Sequence, residues 1–276
     1  MKKPQFRFLI FITILFLLFN NCQKAENSLH EKKNKEETIV EKNKNNNHSK
    51  QTTHIEKKEF GNSWEETFGG TKIDRANYAS KTNDGGFIVA GATESKGKGG
   101  KDAWVIKLDD SGNIIWDETY GGLKDDEFYS IEPTPDGCFI AGGYTESKGR
   151  GSRDGWIVKI SKNGRMEWDK TFGGIYWDEI HSVVPSHDSG FLAAGSFEPY
   201  GAGAQHLLLV KIDKYGKTLW EKTYGSGKWN EVLNIERQND SYLLSGSRGE
   251  RQSSVLFDTW LIKFKWLEKE KIFKRN

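Results

Sequence analysis

Six cations in two short glycine-rich segments are the residues of this chain best suited to bind a ligand. The segments read KGKGGK at 96–101 and KGRGSR at 148–153. Aromatic residues occur in segments expected at the same end of the fold, and rings beside cations suit sugars, peptides and anionic polymers. The alternative is that the loops are merely solvated and the tryptophans packed. The candidate binding face comprises Lys96, Lys98, Lys101, Lys148, Arg150, Arg153, Tyr176, Trp177 and Trp229.

Catalytic and nucleotide chemistry find little support in the sequence. The GKGGK stretch lacks the full phosphate-loop pattern and a following helix. His181 and His187 lie in HSVVPSH, which does not match the H-E-x-x-H zinc spacing, and no nucleophile context surrounds them. Cys138 replaces a turn glycine and is interpreted as a small buried residue. We therefore expect no enzyme, no catalytic residue, no cofactor and no metal. The alternative is a hydrolase with an unrecognised site, which a central cluster of carboxylates and histidine would support.

The sequence repeats itself four times with a constant period. Trp64, Trp116, Trp168 and Trp220 are each 52 residues apart, and they begin WEETFGG, WDETYGG, WDKTFGG and WEKTYGS. A residue that recurs in every copy is interpreted as structural, because a single active site would need it only once. The same argument favours turn chemistry over calcium binding for the recurring Asp-Gly loops, since the nearest candidate, DDSGN at 109–113, lacks the other ligands of an ion-binding loop. Two aspartate series follow the period: Asp74, Asp126, Asp178 and Asn230, and Asp84, Asp136, Asp188 and Asp240.

Each copy divides into four short strands. In the first copy they read ANYASKT, GFIVAGAT, AWVIKLD and IIWDETYG, with Asp-Gly or Ser-Gly turns after the first and third. Such β-branched and aromatic runs bounded by turns are typical of hairpins. Four strands per unit of about 50 residues is typical of a β-propeller blade. We expect an all-β, β-propeller-like domain of four 52-residue, four-stranded blades over residues 60–276.

The ends of the repeat predict how the ring closes. The tryptophan series would continue at position 272, where Ile272 stands with no TFGG after it. The segment FGNSWEETFGG, which begins at position 60, is a better fourth strand. Residues 60–68 are therefore expected to complete the last blade, which would remove an open sheet edge. The alternative is an incomplete ring that closes by oligomerisation.

The repeat resembles a known type of module. The pattern W-x-x-T-F-G-G, then D-G-G-F-I-x-A-G-x-T, then D-x-W-x-I-K-x-D-x-x-G is similar to the SBBP-type β-propeller repeats of secreted bacterial and archaeal proteins. The resemblance covers roughly residues 60–275. It implies a propeller and carries over no catalytic residues. Most members have more repeats, so four copies are a departure.

The start of the chain resembles a bacterial lipoprotein signal. MKKPQFR precedes a 12-residue apolar run, and Cys22 follows. The run is shorter than the ~20 residues of a membrane-spanning helix and is typical of a signal peptide. Phe19 and Asn21 depart from the usual leucine and small residue before the cysteine. We expect residues 1–21 to be removed, Cys22 to be lipidated and residues 22–59, which are polar, to form a disordered tether. The alternative is a plain secretory signal.

Charge and cysteine count exclude several classes of protein. The formal charge is +2, and three cations lie within residues 1–22, so the remaining chain has 38 Lys and Arg against 39 Asp and Glu. This argues against a generally basic nucleic-acid binder, and two cysteines cannot build a disulfide scaffold. We expect an envelope lipoprotein, in the outer membrane or at the cell surface, held in the membrane by its lipid. Its propeller is expected to bind a glycan, a protein or an anionic macromolecule, without specific nucleic-acid binding. The alternative is a purely structural envelope module without a ligand.

Overall fold

The computed structural model describes residues 63–199, 205–225, 229–250 and 256–265. The predicted signal peptide, Cys22, the tether and the beginning of the predicted closing strand lie outside these ranges. Within these ranges the regular secondary structure consists of β-strands. No helix there is long and apolar enough to cross a membrane.

In the described ranges, fifteen strands form four antiparallel sheets, one for each copy of the repeat. In every sheet the strands lie side by side in chain order, so the all-β prediction is confirmed. The strands predicted in the first copy match the observed ones within two residues. The first sheet comprises Asp74–Lys81 (β1), Phe87–Thr93 (β2), Asp102–Leu108 (β3) and Ile114–Tyr120 (β4); the second Asp126–Pro133 (β5), Phe139–Thr145 (β6), Asp154–Ile160 (β7) and Met166–Phe172 (β8); the third Glu179–Pro185 (β9), Phe191–Phe197 (β10), His206–Ile212 (β11) and Thr218–Tyr224 (β12); the fourth Trp229–Gln238 (β13), Ser241–Glu250 (β14) and Leu256–Lys265 (β15).

A buried lysine secures the first turn in each of the first three sheets. Lys107 of β3 donates hydrogen bonds to Thr82 Oγ1 (3.1 Å) and Asp84 Oδ1 (3.0 Å), which flank the turn between β1 and β2. Because a buried ammonium group needs paired acceptors, this arrangement requires the same three positions in each of these three sheets. We call Lys107, Lys159 and Lys211 the turn lysines. The other two sets are Lys159 with Thr134 and Asp136, and Lys211 with Ser186 and Asp188.

The tryptophans of the 52-residue series reach forward to the next sheet. Trp116 of β4 lies 6.1 Å from Phe139 of the second sheet, and its Nε1 donates to the Lys162 carbonyl (3.0 Å). Trp168 of β8 lies 5.9 Å from Phe191 of the third sheet. These contacts close the outer side of the apolar core between neighbouring sheets. The interpretation of the tryptophan series as structural is therefore confirmed for both positions.

Trp64 makes the same contact although no strand carries it. Its ring lies 5.7 Å from Phe87 of the first sheet, and its Nε1 donates to the Asp110 carbonyl (3.0 Å). Residues 63–70 form no strand. Trp64 thus occupies, against the first sheet, the position that Trp116 occupies against the second.

The predicted closure is not among the strand pairings of the described residues. Among the residues that the structure describes, the fourth sheet ends at β15 and has no fourth strand. At the start of the domain, Ala76 and Ala79 of β1 are exposed, whereas their counterparts Phe128 and Ile131 of β5 are fully buried against the first sheet. The face of the first sheet that a closed ring would cover is therefore more exposed than the corresponding face of the second sheet.

The first strands of all four sheets surround one cavity. Side chains from β1, β5, β9 and β13, with neighbouring turn residues, line a space of about 530 Å³. We call this space the axis cavity. Sheets arranged in chain order around a shared axis are what a propeller-like architecture requires.

Candidate functional site

The two cationic loops and the segments between sheets lie together at one end of the domain. The Asp126 amide donates to the Lys101 carbonyl (2.8 Å), and Arg153 and Trp177 form a parallel bridge. A side chain at Gly99 would collide with the Lys124 carbonyl at 2.6 Å, so glycine is required where the loop meets the intersheet segment. We call this end, with the loops and intersheet segments, the loop face.

Two of the six cations are bound to carboxylates of their own sheet. Lys96 pairs with Asp117, and its ammonium group lies 5.1 Å from the centre of the Trp104 ring. The indole N–H of Trp104 donates to the same carboxylate (3.1 Å). Lys148 pairs in the same manner with Asp169. Burial acts to raise the pKa of Asp169, but hydrogen bonds from Lys148 and Trp156 lower it below its usual value.

Two further cations join neighbouring sheets. Lys101 donates to Glu127 Oε2 (2.9 Å) of the second sheet. Arg153 donates to Glu179 Oε1 (2.6 Å) of the third sheet and lies 3.8 Å from the Tyr144 ring centre. Burial opposes the charge of this guanidinium, yet Glu179 and its other partners raise the pKa of Arg153. These cations hold sheets together, a role that the sequence did not indicate.

The concave backbone of each cationic loop is filled by its own aspartate. Asp102 Oδ2 accepts the amides of Lys98 and Gly99, both at 3.0 Å. In the second loop, Asp154 Oδ2 accepts the amides of Arg150 (3.1 Å) and Gly151 (2.8 Å). Clustered backbone amides of this kind bind anions, and here the anion is a side chain of the loop.

The remaining predicted residues divide into exposed and packed groups. The side chains of Lys98 and Arg150 are exposed and form no ion pair within the described ranges. Trp177 is 53% exposed, although Arg153 lies 4.5 Å from its ring centre. Tyr176 is half-buried, as is Trp229, whose ring lies 6.2 Å from that of Phe257. The loop face therefore brings together two free cations and one exposed tryptophan.

Sequence reasoning missed the exposed apolar residues of the loop face. Leu123, at the tip of the first intersheet segment, is 81% exposed. Ile73 and Ile175, at nearby positions in the other segments, are also largely exposed. The signal was present in the sequence as a large apolar residue directly after the recurring Gly-Gly pair, at Leu123 and Ile175, or two positions later, at Ile73. Exposed apolar residues can take part in an interaction surface where they form a contiguous patch.

A buried polar network lies beneath the loop face, and it includes a histidine. His181 Nε2 lies 3.1 Å from Ser196 Oγ and 3.6 Å from Glu179 Oε2. A serine hydrolase needs the acid at the opposite ring nitrogen and a reachable hydroxyl, whereas Ser196 is fully buried. Burial lowers the pKa of His181, and the charges of Glu179 and Glu231 act against that change. The His181 ring stacks on the Tyr129 ring at 5.4 Å. This geometry does not activate Ser196 as a nucleophile.

Other residues considered for chemistry lie elsewhere. His187 is exposed in a turn and contacts the Tyr242 ring (6.3 Å). Cys138 is half-buried, and burial followed by the charge of Asp136 raises the pKa of its thiol, which is the reverse of what an activated cysteine needs. No three His, Cys, Asp or Glu side chains of the described ranges gather as a metal site would require.

One aspartate of the recurring series has a distinct environment. Asp126 accepts hydroxyl hydrogen bonds from Thr145 and Ser147. In the third repeat Phe197 replaces that threonine, and from the described residues Asp178 accepts two backbone N–H groups, at 2.6 and 2.9 Å. Burial raises the pKa of Asp178 to about 6.

Comparison with known proteins adds only distant likenesses. No family model and no curated protein matches the chain. The chain is similar to the WD40 domain of Pan2 from Neurospora crassa, with 11% identity and a TM-score of 0.42 over 69% of this chain and 62% of that one, so it spans less than two thirds of that domain. It is also similar to an α-L-arabinofuranosidase from Clostridium thermocellum, with 14% identity and a TM-score of 0.41 over 67% of each chain.

These likenesses carry no argument about function, and the class of the protein rests on its own sheets. Four antiparallel sheets in chain order, with their first strands around one cavity, define an all-β protein of propeller-like architecture.

Proposed function

We propose that the chain is a lipid-anchored envelope lipoprotein whose propeller-like domain binds a glycan or an anionic macromolecule through the loop face. The observation that carries the proposal is Trp177, which is 53% exposed while Arg153 holds its ring in place. A pre-oriented aromatic ring offers contact area at low entropic cost. The free cations Lys98 and Arg150 and the exposed Leu123 extend the same surface.

Two variants test the loop face with an array of neutral and anionic glycans and a pull-down on immobilised polyanion. Trp177→Ala should weaken glycan binding by about tenfold or more, as expected for a central aromatic contact. Tyr215→Ala is its matched control, because Tyr215 is also exposed but lies in a turn at the opposite end. The paired change Lys98→Glu and Arg150→Glu should abolish polyanion capture, and Lys162→Glu, at the opposite end, should not. Unchanged binding by both loop-face variants would remove this surface from the proposal.

A second candidate function is a structural module without a ligand. It is favoured by the internal pairing of four of the six loop cations, Lys96, Lys101, Lys148 and Arg153. Crosslinking in intact cells distinguishes the two functions. A partner recovered through the outer strands β4, β8 and β12, with none through the loop face, would favour the structural module.

The anchor is tested separately from the binding face. We expect Cys22 to incorporate radiolabelled palmitate, and Cys22→Ser to release the protein from the membrane fraction. Equal membrane retention of the variant would contradict the lipid anchor. Protease access in intact cells then distinguishes the cell surface from an inward-facing location.

Closure of the ring is also part of the proposal, and the repeat gives its register. In the first sheet Lys107 lies opposite Trp116 and Val105 opposite Glu118. Shifted by the repeat, the closing strand places Trp64 opposite Lys263 and Glu66 opposite Leu261. The contact of Trp64 with the first sheet supports this register, because Trp116 makes the same contact from a paired strand.

A cysteine pair tests that register. Glu66→Cys with Leu261→Cys should form a disulfide within one chain under mild oxidation. Glu66→Cys with Ile262→Cys is the control, because adjacent residues of a strand point to opposite faces of the sheet. A disulfide found only between two chains would show closure by oligomerisation instead.

A further inference from the structure

We propose that the axis cavity binds a primary ammonium group carried on an aliphatic stem. The cavity lies near the turns that join the first and second strands of the sheets, at the end of the domain opposite the loop face. Ligand binding there would be independent of the proposed loop-face function. Its volume of about 530 Å³ is within the range of small-molecule sites, roughly 300–1,000 Å³.

The residues that line the cavity differ from repeat to repeat. At one position of the first strand the four copies carry Ser80, Glu132, Val184 and Glu236. The turn lysines, by contrast, recur in the first three sheets. A single site on the axis would need each of its groups once, so the loss of repetition at these positions is what a ligand site predicts.

Two carboxylates and one guanidinium give the cavity its electrostatic character. Glu132 accepts the Tyr78 hydroxyl (2.6 Å) and the Ser80 hydroxyl (3.0 Å), which fixes its orientation. Glu236 has no hydrogen-bond partner within the described ranges. Burial, the hydrogen bond and charge of Glu132 and the charge of Glu236 all raise the pKa of Tyr78, so both carboxylates act on the same space. Arg237 donates to the Pro185 carbonyl (3.4 Å), leaving a net negative lining.

The rest of the lining combines apolar surface with the polar side chains of Tyr78, Asn83, Thr134 and Asn234. Three prolines contribute ring surface and no backbone N–H: Pro133, Pro135 and Pro185. Val184 and Ile235 add aliphatic surface. An anion would face two carboxylates, whereas an ammonium group has three donors and no acceptor. A methylene stem packs on the prolines while the charged head reaches the carboxylates, as lysine side chains do at protein surfaces.

This chemistry has two sources, a free aliphatic diamine and a lysine side chain of a peptide. The experiment is isothermal titration of the purified protein with cadaverine, with the blocked peptide Gly-Lys-Gly and with 1,5-pentanediol, the neutral analogue of cadaverine. Glu236→Gln is the test variant because Glu236 makes no hydrogen bond in the described ranges. Glu118→Gln on the exposed outer strand β4 is the matched control.

We expect cadaverine or the lysine peptide to bind, with the affinity reduced about tenfold or more in Glu236→Gln and unchanged in Glu118→Gln. Binding of cadaverine alone assigns the site to a free amine, and binding of the peptide alone assigns it to a protein partner. Thermal unfolding of Glu236→Gln at the wild-type temperature shows that any loss is not a folding defect. Equal binding of pentanediol, no binding of either amine, or unchanged affinity in Glu236→Gln would overturn the proposal.

Discussion

Equivalent aspartates in different repeats lie in different environments, and their pKa values are shifted in opposite directions. Asp74 receives a hydroxyl hydrogen bond from Thr93, which is the largest influence lowering its pKa. Asp178 has Phe197 at the position of that threonine, and burial raises its pKa to about 6. Hydrogen bonds to a carboxylate favour its charged form, whereas burial disfavours it. The pKa of Asp74 is therefore lowered and that of Asp178 is raised.

Changing the side chain at the position of Thr93 and Phe197 should shift the pKa of the neighbouring aspartate. Phe197→Thr should lower the pKa of Asp178, and Thr93→Val should raise that of Asp74, as measured by NMR titration of the side-chain carboxyl groups. The raised pKa of Asp178 contributes stability that is fully present below its ordinary pKa of about 3.9 and is lost as pH rises through about 6. A pKa of Asp178 unchanged in Phe197→Thr would show that the missing hydroxyl is not the cause.

At the scale of the element, the turn lysine links the third strand of a sheet to the turn between its first two strands. Lys159 is 2% exposed and donates to Thr134 and Asp136. Burial acts to raise the pKa of Asp136, but Lys159 and Thr134 lower it to about 2. The bond therefore stabilises the fold above the ordinary aspartate pKa and is lost as pH falls through about 2.

The two halves of this bond should differ in cost. Asp136→Asn leaves a buried ammonium group without its counterion and should reduce the free energy of unfolding by about 3 kcal/mol. Lys159→Met should cost less, about 1 kcal/mol, because the removed partner leaves a carboxylate that is largely solvated. Urea unfolding of both single variants and the double variant measures the difference. Asp240→Asn, which breaks the exposed pair with Lys265, serves as control and should have no measurable effect.

The sequence predicted the strands well and the ion pairs poorly, for a physical reason. Strand ends are set by local turn residues such as Asp84 and Gly85, so they can be predicted from the sequence around them. The partner of Lys96 is Asp117, which is 21 positions away on another strand, and the partner of Lys101 lies in another sheet. All six predicted cations lie on the loop face, but four of them pair with carboxylates of the domain, and only Lys98 and Arg150 keep unpaired charges in the described ranges. The axis cavity could not be predicted, because it depends on four strands meeting around one axis.

For the whole molecule, each sheet packs mainly against the sheets before and after it. The second and third sheets have neighbours on both sides, whereas β1 is mostly exposed and the fourth sheet has three strands in the described ranges. In such an array stability is the sum of the units and of the contacts between neighbours.

This arrangement predicts a gradient of hydrogen exchange. Amides of β6, β7, β10 and β11 should exchange most slowly, because they lie in sheets covered on both sides. Deleting residues 60–68 should speed exchange in β15 and in the first sheet while leaving β7 little changed. Identical exchange in β15 with and without that segment would contradict its role as the closing strand.

The uneven lining of the axis cavity has a consequence for how such a gene can change. Repeats arise and spread by duplication, and copying one repeat over another would preserve every turn lysine and every forward-reaching tryptophan. It would nevertheless erase the cavity's chemistry, since Glu132, Val184 and Glu236 hold one position in three repeats. The scaffold is therefore robust to recombination between its units, while the ligand site is inherited only as long as the four copies remain different.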